Sequence, residues 1–100
     1  MRFIHLSDKL DNGAITNLIL QPKFTLQSSF KDNNNKRHRA IHYIADFQYN
    51  QPGHEKAMVE DVKGYRTDVY QMKKKLFLFK FQHKYQFCEV YYKKGLFEIL

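Results

Sequence analysis

Ala57-Met58-Val59-Glu60-Asp61-Val62-Lys63-Gly64 carries two alternations at once. Apolar Val59 shares a strand face with Asp61 and Lys63, because side chains two apart project to the same side. Met58, Glu60 and Val62 fall on the other face. The run is therefore expected to be a half-buried strand stopped by Gly64, with an acid and a base displayed together.

The preceding apolar segment runs from Ala40 to Tyr49. Ile41, Tyr43, Ala45, Phe47 and Tyr49 alternate with His42, Ile44, Asp46 and Gln48, which predicts one continuous strand bearing a carboxylate at its middle. Asn50-Gln51-Pro52-Gly53 supplies the turn into the next strand. Further back, Leu20, Phe24 and Leu26 interleave with Gln21, Lys23, Thr25 and Gln27 in another strand pattern, with Pro22 suited to an edge or a strand start. Lys31-Asp32-Asn33-Asn34-Asn35-Lys36-Arg37 has no apolar residue and reads as a solvated turn between the two strands. At the N-terminus Phe3, Leu6 and Leu10 follow helical spacing, and Asp11-Asn12-Gly13 closes that short helix.

Beyond Gly64, Thr67 or Asp68 can cap a helix. Val69, Met72, Leu76 and Phe79 form its expected apolar stripe, leaving Lys73, Lys74, Lys75 and Lys80 largely off it. Tyr85 to Tyr92 is rich in strand formers, and a short tail follows from Lys93 to Leu100. The expected class is α/β, in the order α-β-β-β-α-β, built as a single domain over residues 1–100 around one core.

Lys and Arg total 17 against 10 Asp and Glu, a formal net charge of +7. Such a balance favours a polyanion such as nucleic acid as partner. Cys88 is the lone cysteine, which rules out an internal disulfide or a four-cysteine zinc site and fits a reducing, cytoplasmic setting. No stretch approaches the roughly 18–20 apolar residues of a membrane span, nor is there the apolar region of a signal peptide, so no membrane association is expected. His38 and His42 lie in strand context and do not share the face of a helical zinc pair.

Asp46 and Asp61 on neighbouring strands can together hold Mg²⁺ (or Mn²⁺), a hard ion that prefers oxygen ligands. The carbonyl of Val62 is the third candidate ligand. Lys63 would orient an attacking water or stabilise phosphoryl oxygens, which makes Asp46, Asp61 and Lys63 the expected catalytic set. Lys73, Lys74, Lys75 and Lys80 are the expected contacts to a DNA backbone. Gln21, at the start of its strand, and Glu60, adjoining Asp61 but on the opposite face, are possible accessory residues; a β-bulge would be needed to bring Glu60 to the metal.

Several blocks carry a resemblance: Asn12-Gly13-Ala14-Ile15-Thr16-Asn17-Leu18, Leu20-Gln21-Pro22-Lys23-Phe24, Tyr43-Ile44-Ala45-Asp46-Phe47 and Val59-Glu60-Asp61-Val62-Lys63-Gly64, then Thr67 and Lys73-Lys74-Lys75-Leu76-Phe77. In this order, over about residues 1–90, the chain resembles an uncharacterised family from phages and prophages of Gram-positive bacteria. That family is similar to the PD-(D/E)XK nuclease superfamily. The resemblance implies a restriction-endonuclease-like core with a mixed four-stranded sheet flanked by helices. Ala45-Asp46 stands where the superfamily has Pro-Asp, and Asp61-Val62-Lys63 where it has (D/E)-x-K. It also implies a longer first helix with a metal-assisting Glu, of which this chain has a shortened form. The expected function is a Mg²⁺-dependent DNA endonuclease or structure-selective DNA-processing nuclease, possible as a homodimer. The alternative is a catalytically reduced relative that binds DNA or a host protein.

Overall fold

The computed structural model describes residues 2–93 and 96–99. The decisive strand is β7 in a chain that runs α1 (Arg2–Asp11), β1 (Thr16–Leu20), β2 (Lys23–Gln27), β3 (Phe30–Lys31), β4 (Arg37–His38), β5 (Ile41–Ile44), β6 (Phe47–Asn50), β7 (Ala57–Lys63), α2 (Asp68–Phe81), β8 (Tyr85–Lys93) and β9 (Leu96–Ile99). Five strands form one sheet in the order β1-β6-β7-β8-β9. The β7 and β8 strands are parallel, in register from Ala57↔Tyr85 to Lys63↔Tyr91, and the other neighbours are antiparallel. A parallel pair needs a crossover, here α2. The fold is thus mixed α/β with two helices, and its sheet has one strand more than expected: the segment read as a tail after Lys93 returns as β9 along β8.

Both long strands expected before β7 are broken. The first, expected from Leu20, is interrupted at Gln21 and Pro22, so that Leu20 ends an unforeseen β1 and the rest forms β2, and the second divides into β5 and β6 around Ala45 and Asp46. Gln21 has a φ of 51°, a left-handed conformation that reverses the local twist and that non-glycine residues rarely adopt. The two breaks face each other, linked by Gln21 N–H donating to the Asp46 carbonyl at 2.9 Å and Ala45 N–H to the Pro22 carbonyl at 3.1 Å. A single long hairpin is thereby bent in its middle. Its base, β1 with β6, belongs to the main sheet, while β2 and β5 form a separate two-stranded ribbon. Asp46 accordingly sits at a bend, not in the middle of a strand.

The bend also divides the core. Tyr43 and Ala45 pack with Phe24, Val59, Tyr70 and Phe77 on the α2 side, whereas Tyr49 and the partly buried Phe47 pack with Leu6 and Ile15 on the α1 side. The continuous alternation of these odd-numbered residues had placed them on one face. In β7 the alternation holds: Val59 belongs to the α2-side cluster and Met58 to the α1-side cluster.

Thr67 caps α2, its hydroxyl accepting from Tyr70 N–H at 3.0 Å. The buried residues of this helix are Tyr70 and Phe77. The stripe expected to face the core is exposed instead, at 59% for Val69, 55% for Met72, 42% for Leu76 and 87% for Phe79. The rotation is explained by the aromatic ribbon: Phe77 lies 4.8 Å from Phe24 and 5.4 Å from Tyr43, centroid to centroid, and these rings offer more apolar area than the opposite stripe could reach.

The expected turn is present and joins β3 to β4, a further two-stranded pair. Asp32 Oδ1 accepts from Asn34 N–H at 2.8 Å and Lys36 N–H at 3.0 Å, an arrangement that Asp favours in turns. Among the described residues no helix is long and apolar enough to cross a membrane.

Candidate active site around Asp61

The β7 strand presents Asp61 and Lys63 toward α2, as its alternation requires. Asp61 is 1% exposed. Its Oδ2 accepts a hydrogen bond from the Tyr43 hydroxyl, and Lys63 Nζ stands 2.9 Å from Oδ1. That ammonium is also 4.2 Å from the centre of the Tyr70 ring, a favourable cation–π placement. Among the described residues Lys63 is thus the cation at Oδ1, in an ion pair whose alignment falls short of a well-formed hydrogen bond.

Burial lifts the Asp61 carboxyl to about 6. Tyr43 and Lys63 pull it down, and the nearby Asp46 charge pushes it up again. Perturbed carboxyls of this kind recur at functional sites, although structural ion-pair networks also produce them.

Asp46 approaches from the bend. Its Oδ2 accepts the Val62 N–H at 2.7 Å, and its own N–H donates to the Glu60 carbonyl at 3.1 Å. These two bonds tie the bend to β7 just where β6 pairing ends. A strand residue's N–H and C=O leave on the same edge, so the Val62 carbonyl also faces the Asp46 side. The sequence-derived trio and Val62 are therefore gathered at one point of the sheet.

The accessory candidates divide. Gln21 lines a cleft of about 450 Å³ with Phe3, Leu20, Asp46 and Phe47, so it stands beside Asp46, in a cleft that Asp61 and Lys63 do not line. Glu60 points away: it is fully buried on the opposite face, bound by Arg2 at 2.5 and 3.0 Å and by the Tyr49 hydroxyl at 2.6 Å. It fastens α1 to the sheet, and β7 has no bulge there that would turn it toward Asp61.

The lysine group divides as well. Lys74 Nζ bonds Glu89 Oε2 at 2.5 Å and Lys80 Nζ bonds the Thr25 carbonyl at 3.1 Å, while Lys73 and Lys75 make no ion pair among the described residues. Lys74 is thus held beside the site, and Lys80 braces the ribbon. Of the histidines, His38 Nε2 is 2.9 Å from Asp32 Oδ2, and His42 Nδ1 is 3.2 Å from Thr25 Oγ1.

Sequence reasoning missed Tyr43, Tyr70, Arg66 and Glu89. Glu89 is 3% exposed and is the register partner of Asp61 on β8, so the two carboxylates share a face. Arg66 and Lys74 both bind it. An acid inside Phe87-Cys88-Glu89-Val90 was the available signal, since a buried carboxylate demands partners.

The donor set can be tested against a divalent ion. Among the described residues no three His, Cys, Asp or Glu side chains converge. Mg²⁺ commonly binds proteins through one or two carboxylates and retains waters, so Asp46, Asp61 and the Val62 carbonyl meet its needs. Asp61 Oδ1 already faces one cation, the Lys63 ammonium at 2.9 Å, and a divalent ion would share or take that place.

Fold and site together define a small mixed α/β domain with a buried carboxylate centre at the split of its hairpin. The chain belongs to the family described as "Protein of unknown function (DUF1064)", whose model matches residues 1–95. No curated protein and no solved structure matches it.

Proposed function

We propose that this chain is a metal-dependent phosphodiesterase of the PD-(D/E)XK nuclease type, acting on DNA with Mg²⁺ or Mn²⁺. The observation that carries the reading is Asp61: a buried carboxylate with a raised pKa whose Oδ1 meets the Lys63 ammonium in an ion pair, adjacent to Asp46. Asp46, Asp61 and the Val62 carbonyl would hold the ion. When bound, the metal supplies Lewis acidity toward a phosphoryl oxygen and acidifies a water.

The protein's own groups do the positioning. The Tyr43 hydroxyl fixes the Asp61 rotamer, the Val62 N–H fixes Asp46, and the Tyr70 ring supports the Lys63 ammonium. Lys63 is then placed to meet charge on the phosphate, where a preorganised cation is most effective. The net charge of +7 supports a polyanionic substrate, and Lys75, with half-buried Lys73, remains available to phosphates.

Plasmid, branched and single-stranded DNA incubated in Mg²⁺ or Mn²⁺ test the proposal. Cleavage is expected to fall at least about 10²-fold in Asp61→Asn and in Lys63→Ala, the scale of losing one electrostatic contributor. No cleavage of any substrate, or cleavage indifferent to Asp61, would sink it.

A second reading, a non-catalytic nuclease-fold protein that binds DNA or a host protein, is favoured by the convergence of only two acidic side chains among the described residues. It predicts DNA or protein binding without stabilisation by Mn²⁺, since a ligand specific for the folded state raises apparent stability.

A further inference from the structure

The apolar stripe on the exposed side of α2 takes no part in the site. Val69, Met72, Leu76 and Phe79 are spaced by three, four and three residues, which is the a/d pattern of a heptad repeat. All four are solvent-exposed, although Tyr70 and Phe77 anchor the same helix in the core. The positions flanking that seam are Asp68, Lys73, Lys75 and Lys80, the last with its ammonium bonded to the Thr25 carbonyl. A shallow cleft of about 480 Å³, lined by Gln71, Met72, Lys74, Lys75 and Leu78, lies alongside.

We infer that the Val69–Met72–Leu76–Phe79 seam of α2 is a docking surface for an amphipathic helix of a partner protein whose seam is bordered by acidic residues. Two observations select this occupant. The stripe holds only the a and d positions, the narrow width of a helix–helix seam, whereas a helix lying in a lipid surface presents a broader apolar face. Its borders carry three lysines against one aspartate, on a chain of net charge +7, so a second copy would set like charge against like. Glu or Asp at the partner's e and g positions complements these borders.

The test uses the full chain and a synthetic helical peptide of about three heptads, with Leu at a and d and Glu at e and g, beside a counterpart with Lys at e and g. The Glu peptide is expected to bind at least tenfold more tightly than the Lys peptide and to weaken as salt rises. Leu76→Glu and Phe79→Asp alter exposed positions and are expected to abolish binding while circular dichroism and the thermal midpoint hold. Three results overturn the inference: equal binding or no binding of the two peptides, a dimer by sedimentation that Leu76→Glu dissolves, or flotation with phosphatidylserine vesicles that Phe79→Asp abolishes. None of these readouts depends on DNA cleavage.

Discussion

Asp61 on β7 and Glu89 on β8 are register partners on one face of the sheet, 1% and 3% exposed, but the protein treats them in opposite ways. Each Glu89 oxygen has its own cation: Arg66 at Oε1 and Lys74 at Oε2. Burial by itself would push the Glu89 carboxyl up, but Lys74 and Arg66 hold it below its ordinary value. Asp61 has a tyrosine on one oxygen and a misaligned lysine on the other, and burial wins. The same depth in the same sheet thus yields a carboxylate compensated by two cations and one compensated by a single cation and a hydroxyl. Compensation distinguishes a brace from a site, because an uncompensated buried charge is retained only against a cost to stability.

The largest expected effect comes from making Glu89 resemble Asp61. Lys74→Ala removes one of its two cations, and the loss is expected to be about 2 kcal/mol in urea unfolding at pH 7, below the full cost of stripping a buried ion of its partner because Arg66 remains. An unchanged midpoint would show that Lys74 is only a surface ion. A smaller effect, about 1 kcal/mol, is expected from Tyr43→Phe, which removes the donor from Asp61 Oδ2 and leaves the carboxylate more poorly satisfied. Phe fills the same aromatic site against Phe24 and Phe77, so a loss several times larger would point to packing in place of the hydrogen bond.

The distinction between these carboxylates was only half legible in the sequence. Period-two alternation in β7 put Asp61 with Lys63 and turned Glu60 away, because strand geometry acts within a few residues. The turn at 31–37 and the Thr67 cap were legible for the same local reason. The bend was not: apolar residues continue at every odd position from Ile41 to Tyr49, and nothing local says that Tyr43 serves the α2-side core and Tyr49 the α1-side core. Pro22 was the single mark of it. The facing of α2 escaped too, because Val69-Met72-Leu76-Phe79 and Tyr70-Phe77 are both helical stripes. The choice between them rests on Phe24 and Tyr43 from a distant ribbon, and on Glu89, which draws Lys74 toward the sheet.

Making Asp61 resemble a satisfied group gives the subtlest change, and its sign is informative. The folded value of about 6 lies above the ordinary 3.8, so between these pH values the native state holds a proton that the unfolded chain has released. Stability contributed by Asp61 is therefore lost as pH rises from about 4 to about 6 and stays lost above that range. Glu89 has the opposite sign: its contribution is in place above the ordinary 4.5 and is lost as pH falls below it. Asp61→Asn keeps an acceptor for Tyr43 and removes the buried charge, so at pH 8 without metal it is expected to gain up to about 1 kcal/mol. At pH 4, where both forms are largely neutral at this position, the gain is expected to shrink. Urea midpoints for wild type and variant between pH 4 and 8 measure this difference directly. A variant less stable than wild type at pH 8 would mean that the Lys63 ion pair satisfies Asp61 after all, and the contrast with Glu89 would no longer mark a functional site.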